Sequence, residues 1–146
     1  MNFSRLAPLQ RRLLDHFYRQ HGSRMRAAGE GEQWVARAGE IIAGVNLTPV
    51  TGGQWLTALF VAPQWRGQHV ATRLLDTALR DAPGATWLFC HPDLARFYQN
   101  LAFTPAIDLP QALAARLARY QRSKPLMAMV RGQSSATSSP GNSTSV

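Results

Sequence analysis

The stretch PQWRGQHVATRLL, Pro63 to Leu75, decides how the chain folds. Before it runs QWLTALFV, Gln54 to Val61, a nearly continuous set of strand formers. From Gly67 onward the apolar residues recur with a helical period. Val70, Ala71, Leu74, Leu75, Ala78 and Leu79 share one face, and Gln68, His69, Thr72, Arg73, Asp76 and Arg80 share the other. A strand that turns through glycine into a helix leaves unpaired N–H groups at the helix start. The helix dipole adds partial positive charge there, so the turn suits an anion, usually a phosphate. Arg66 adds a full charge. Many α/β proteins have such a turn without using it, so the turn alone identifies no ligand.

The elements on either side follow from pattern. Pro8 to His21 reads as a helix, with Leu6, Leu9, Leu13 and Phe17 at helical spacing and Pro8 suited to a first turn. His21 to Glu32 reads as a loop, with room for a helical turn at Met25. Gln33 to Val50 holds two strand-forming runs around Ala38-Gly39-Glu40, a hairpin signal. Gly52-Gly53 turns the chain again, and Gln54 to Val61 reads as a central strand buried on both faces. Pro83-Gly84 ends the helix, and TWLFC, Thr86 to Cys90, is a short buried strand. Pro92 opens a helix in which Leu94, Phe97, Tyr98 and Leu101 share a side. A strand from Phe103 to Ile107, a helix from Leu109 to Arg122 and a closing strand from Leu126 to Arg131 complete the pattern. The class is α/β with a mixed sheet.

Composition narrows the function. The 146 residues are 45% hydrophobic, enough for one domain with a real core, and carry a formal charge of +8. Arginine supplies all of the Lys+Arg set except Lys124. Arginine pairs well with phosphate, although abundant alanine and arginine also follow from a GC-rich coding sequence. Arg116, Arg119 and Arg122 recur every third residue and form a basic stripe with Lys124. Single-strand binders interleave basic and exposed aromatic residues. The stripe lacks that pattern, so nucleic acid ranks last among the partners. One cysteine, Cys90, permits neither an internal disulfide nor a cysteine zinc cluster, and no metal site is expected. No apolar run reaches the length of a membrane span, and MNFSRLAPLQRR has no signal-peptide core. A cytoplasmic protein is the expectation. GQSSATSSPGNSTSV, at the end, cannot bury a core and is expected to be disordered. The chain therefore divides into one domain, 1–131, and a tail, 132–146.

Two stretches together resemble the GCN5-related N-acetyltransferase (GNAT) family. The family's acyl-CoA motif has Gln or Arg, two free positions, Gly, one free position, then Gly or Ala. Arg66 fits the first position and Ala71 the last, with His69 where the family usually has glycine. Val61, Pro63, Gly67 and Leu74-Leu75 match frequent neighbours of the motif. ARFYQNLAF, Ala95 to Phe103, resembles the later family segment in which an aromatic-Tyr pair precedes a Gly-Phe pair. Phe97-Tyr98 and Phe103 match, and Ala102 replaces the glycine. The likeness covers Gln33 to Phe103 well, the first helix loosely and the C-terminal unit poorly.

The resemblance implies a GNAT-like acyl-CoA N-acyltransferase fold, a central mixed sheet flanked by helices, and an enzyme using acetyl-CoA as cosubstrate. It implies that Leu59–Val61 splays from Thr86–Cys90 to admit acyl-CoA. Cofactor binding would fall to Phe60, Val61, Arg66, Gly67, Gln68, His69, Val70, Ala71 and Thr72, with the diphosphate on the backbone N–H groups. The N–H near Val61 would stabilise the developing oxyanion, and Tyr98 would protonate the departing thiolate. An amine of a small molecule or peptide would attack directly. The central strand offers Thr57 and no carboxylate as general base, and Glu40 lies in a turn. His91 is the candidate base, against a bland reading as a surface or capping residue. Cys90 and His91 face opposite sides of a strand, which argues against a nucleophilic pair. Trp34, Trp55 and Trp87 read as core, and Trp65 as a cover for the cofactor mouth. His16 and His21 receive no role. Arg24 and Arg26 favour an acidic acceptor. At His69 a helical backbone would be harmless, whereas a positive φ would be strained; weakened cofactor binding is the expectation. The alternative is a catalytically degenerate acyl-CoA-binding or interaction domain. The resemblance leaves room for a homodimer.

Overall fold

A computed structural model of the chain describes residues 1–27 and 29–132. The strands are β1 (Asn2–Arg5), β2 (Glu32–Ala38), β3 (Glu40–Val50), β4 (Gly53–Val61), β5 (Ala85–Cys90), β6 (Thr104–Pro105) and β7 (Met127–Arg131). The helices are α1 (Arg11–Gln20), α2 (Val70–Leu79), α3 (Ala95–Gln99) and α4 (Gln111–Tyr120). One seven-stranded sheet runs in the order β1-β2-β3-β4-β5-β7-β6, and helices flank it. β4 and β5 pair in parallel, which requires the crossover that α2 supplies. The β1–β2, β2–β3, β5–β7 and β6–β7 ladders are antiparallel. This is the expected mixed α/β class. The chain forms two compact units, one from Met1–Thr48 and Leu56–Ala82, the other from Pro49–Trp55 and the residues from Pro83 onward.

In the first unit the hairpin falls as expected, with Gly39 at the turn between β2 and β3. β1 was not legible in the sequence. It pairs Phe3 with Ala36 and Arg5 with Trp34, a four-residue edge too short and polar to show a period. Leu9 and Leu13 do not belong to the core stripe expected of them; Leu9 is 94% exposed. Pro8–Gln10 winds as a 3-10 turn, so the helical phase restarts at Arg11. Leu14, Phe17 and Tyr18, at i, i+3 and i+4, are the buried face of α1. They join Leu6, Val35 and Ala62 in one core. No helical turn forms at Met25. α2 buries Val70, Leu74, Leu75 and Ala78, as its period requires.

The strand buried on both faces is β3, not β4. Ile42 through Leu47 are buried without a break. A Cβ on Gly44 would collide with the Leu14 side chain, so its absence lets α1 approach β3. In β4, Gln54, Leu56 and Leu59 are buried, while Trp55, Thr57, Ala58, Phe60 and Val61 are half-buried. The alternation slips by one residue at Ala58, which has φ +57. A left-handed residue inside a strand marks a bulge, and a bulge exchanges the two faces.

In the second unit Ala85, Trp87 and Leu113 form a core with Val50, Trp55, Phe89 and Val130 around it. β4 pairs with β5 over Gly53–Trp55. β6 is shorter than the expected Phe103–Ile107 because Pro105 has no N–H to give, and Ile107 is exposed. α3 is a five-residue helix without a buried face, and Leu94 and Phe97 are about half exposed rather than core. Leu126 lies just outside β7. The Ser/Thr/Gly tail from 133 onward lies outside the described residues.

Candidate functional site

The turn between β4 and α2 is built from the first unit alone. β4 ends at Val61, Pro63–Trp65 makes a 3-10 turn, and α2 begins at Val70 rather than Gly67. Two left-handed residues make that difference. Gly67 has φ +78, and a Cβ there would meet nothing within 4 Å. His69 is the N-cap of α2, with φ +62 and ψ +21. The helical alternative for His69 therefore fails, and an L-residue occupies a conformation that favours glycine. Its ring is exposed and makes no cap hydrogen bond.

α2 consequently starts uncapped, with no acidic residue in its first turn. The N–H groups of Val70, Ala71 and Thr72 have no intrahelical acceptor. Arg66 stands just before them, exposed. Its Nε donates to the Val61 carbonyl at 2.9 Å, and its guanidinium carbon lies 5.1 Å from the centre of the Phe60 ring. Gln68 Nε2 donates to the Gln64 carbonyl at 3.1 Å and steadies the loop. Trp65 is half-buried and packs against the first unit's core. Donors, dipole and guanidinium thus converge on one turn, an arrangement that binds an anion.

Phe60 is ringed by the end of α1. Phe17, Tyr18 and His21 have ring centres 5.9, 6.4 and 6.0 Å from it. The fully buried Tyr18 hydroxyl donates to the Ala58 carbonyl at 2.6 Å and ties α1 to the bulge. Burial, with Asp15 nearby, raises the Tyr18 phenol well above its ordinary value. The α1–β2 loop is pinned at two points. Ala27 N–H donates to Asp15 Oδ1 at 2.7 Å, and the buried Asn46 donates through Nδ2 to the Arg26 carbonyl at 2.7 Å. The Arg24 and Arg26 side chains are exposed.

Tyr98 lies on α3, in the second unit. It is the third residue from the C-cap of a two-bond Schellman closure. Phe103 N–H bonds to the Tyr98 carbonyl and Ala102 N–H to that of Gln99, both at 3.0 Å. Ala102 has φ +71, the left-handed position of that closure. The Phe103 ring packs edge-on to Tyr98 at 6.0 Å, and Phe97 does so from the other side at 5.0 Å. Burial pushes the Tyr98 phenol up to about 12, with Cys90 as a smaller cause. Cys90 is itself buried, 3.7 Å from the Met129 sulfur, and burial raises its thiol. His91 is exposed and caps the turn before α3; its Nδ1 accepts from Asp93 N–H at 3.0 Å. A ring whose Nδ1 lone pair is engaged carries its proton on Nε2 and presents a donor there.

The basic stripe on α4 is partly spent on packing. The Arg116 guanidinium carbon lies 4.7 Å from the centre of the Trp55 ring, and its Nη1 donates to the Tyr120 hydroxyl at 3.2 Å. That hydrogen bond, against a smaller effect of burial and with Arg119 helping, lowers the Tyr120 phenol. Trp87 is core as expected, whereas Trp34 and Trp55 are half-buried. Among the described residues no three His, Cys, Asp or Glu side chains gather to hold a metal. No helix among them is long and apolar enough to cross a membrane.

A model of the acetyltransferase (GNAT) domain matches residues 29–105, more than half of the chain. No protein with a curated description matches. Escherichia coli ElaA superposes with a TM-score of 0.61 at 17% identity, over 90% of this chain and 99% of that one. An acetyltransferase of the GNAT family from Staphylococcus aureus Mu50 gives 0.65 at 14% identity, over 90% and 98%. An aminoglycoside 6'-N-acetyltransferase complexed with coenzyme A gives 0.61 at 15% identity, over 90% and 97%.

Proposed function

The chain belongs to the GNAT acetyltransferases, and on that premise we propose that it moves an acetyl group from acetyl-CoA to an amine of a small molecule or peptide. The observation that carries the proposal is the uncapped start of α2 behind Arg66, at the end of β4. Its donors fit a diphosphate: three free N–H groups, one guanidinium and no competing carboxylate. When bound, acetyl-CoA supplies an acyl group already activated as a thioester. Gly67 to Thr72 would hold the diphosphate and Phe60 would border the site. The Val61 N–H would face the acyl oxygen as negative charge develops there.

Tyr98 is assigned as the proton donor to the leaving sulfur. With its phenol raised to about 12, it holds its proton throughout the neutral range. His91 stays in the proposal as the cap of the turn into α3, its Nδ1 engaged by the Asp93 N–H and 3.5 Å from the Asp93 carboxylate, which leaves it the weaker candidate for the base. Arg24 and Arg26, on a pinned loop, favour an acceptor that carries an acidic group. The second reading, a domain that binds acyl-CoA without transferring, is favoured by the left-handed His69 and by a β4 that offers no carboxylate.

Calorimetric titration of acetyl-CoA, with free CoA beside it, tests the proposal. Saturable micromolar binding is expected for a working site, on the order of −8 kcal/mol. Absence of binding at millimolar acetyl-CoA would refute both readings. Binding without thiol release across a panel of amines would leave the second.

A further inference from the structure

We propose that His21 is the general base of the acyl transfer, an assignment that rests on the acetyltransferase reading. His21 is the C-cap of α1, and the chain closes behind it in a Schellman motif. Gly22 N–H bonds to the Arg19 carbonyl at 3.0 Å and Ser23 N–H to that of Tyr18 at 2.9 Å, with Gly22 at φ +71. The backbone of His21 is therefore held by two hydrogen bonds and a left-handed glycine. The ring is held as well. Its Nδ1 lies 3.1 Å from the Phe17 carbonyl, and its centre is 4.8 Å from the Phe17 ring and 6.0 Å from that of Phe60.

A carbonyl oxygen can only accept, so Nδ1 carries a proton, and in the neutral ring it is Nε2 that keeps the lone pair. At His91 the equivalent nitrogen is already engaged, by the Asp93 N–H at 3.0 Å and the Asp93 carboxylate at 3.5 Å, on an exposed ring. Of these two imidazoles, only His21 presents a free basic nitrogen on an otherwise fixed ring. It packs on Phe60, the residue before Val61 and the ring that Arg66 also covers. A half-buried imidazole of fixed tautomer, on the strand end assigned to the acyl oxygen, has the equipment of a general base.

In the step, His21 Nε2 first takes a proton from the alkylammonium nitrogen, and the neutral amine so formed makes the N–C bond. Tyr98 gives its phenolic proton to the sulfur as the C–S bond breaks. His21 then releases its proton to water and Tyr98 regains one from the acylated nitrogen, so ammonium and thioester become amide, thiol and one released proton with no net change in the protein.

Two measurements test this. Nitrogen-15 NMR of the full chain reads the His21 tautomer without any turnover. An Nδ1-protonated ring is expected, and an Nε2-protonated ring overturns the proposal. The second measurement compares wild type with His21→Asn, whose side-chain amide can still donate to the Phe17 carbonyl but offers no imidazole base. Thiol release from acetyl-CoA is followed with primary alkylamines, protonated at neutral pH, and with hydroxylamine, which is neutral there. Loss of roughly 100-fold with the alkylamines and little loss with hydroxylamine is expected. Equal effects on both nucleophiles, with acetyl-CoA binding and the thermal midpoint intact, overturn the proposal. His21→Gln should follow His21→Asn if the missing base, rather than a local distortion, is responsible. A wild-type protein that fails to bind acetyl-CoA refutes the acetyltransferase reading itself, whatever the tautomer.

Discussion

Replacing His69 with glycine should make the protein more stable and its anion turn better suited to a diphosphate. An L-residue in the left-handed region loses roughly 1–2 kcal/mol to the contact between Cβ and the carbonyl. His69 sits there at φ +62, and its ring has no hydrogen bond or ion pair among the described residues to offset that cost. Glycine removes the strain but adds roughly 0.5–1 kcal/mol of backbone entropy to the unfolded chain. The net gain is about 0.5–1 kcal/mol, a rise of about 1–4 °C in the melting midpoint of a chain this size. The same change removes a Cβ from the turn where backbone N–H groups must approach phosphate. Acetyl-CoA affinity should therefore hold or improve. His69→Ala is the control. It keeps the strain and loses the imidazole, so it should melt at or below the wild type. Differential scanning calorimetry and acetyl-CoA titration of the three proteins decide the matter. If His69→Gly melts below wild type, or binds acetyl-CoA far more weakly, then the imidazole contributes more than its backbone costs and the strain argument is wrong.

Ala102→Gly should gain about 0.5–1 kcal/mol by the same reasoning and leave acetyl-CoA affinity unchanged, as urea melts and titration would show. Tyr98→Phe should cut turnover about tenfold or more while leaving acetyl-CoA affinity intact; unchanged turnover with any accepted amine would end its role as proton donor. Tyr98 also makes stability depend on alkaline pH. Its folded value lies above the unfolded one, so its contribution is complete below about pH 10 and is lost as pH rises through about 12. Urea titrations across that window should show wild type losing on the order of 2 kcal/mol more than Tyr98→Phe, the fall they share coming from the raised Tyr18 and Cys90.

The motifs were legible because their chemistry is local. The change from strand period to helix period around Arg66-Gly67, and the Phe97-Tyr98…Phe103 spacing, survive without any tertiary information. The two family glycines missing from this chain, replaced by His69 and Ala102, mark two of the three positive-φ residues that are not glycine among the described residues. Sequence could name both positions, but not whether the backbone had relaxed to suit the new side chains; it had not. The third, Ala58, had no signal, because a bulge depends on what the neighbouring strands demand of the ladder. β3 and β4 exchanged their burial for a related reason. Their residues are similarly apolar, and the slip at Ala58 together with the approach of Leu14 over Gly44 decides which strand is enclosed. His21 was invisible as a base, since composition does not say which ring nitrogen finds a carbonyl.

The pinning of the α1–β2 loop bears on how the protein meets a protease. Arg24 and Arg26 both offer tryptic bonds, in an exposed and irregular segment. The bond after Arg26 is held from both ends, its carbonyl by Asn46 and its amide N–H by Asp15 through Ala27. A protease must straighten the chain through its own cleft, which here means breaking both side-chain bonds first. The bond after Arg24 is held, among the described residues, by the Ser23 hydroxyl on the Met25 N–H at 3.1 Å, an exposed contact. Trypsin under native conditions should therefore nick the chain between Arg24 and Met25 before it reaches Arg26, and Asp15→Ala should narrow that difference, with Asn46 still holding the Arg26 carbonyl.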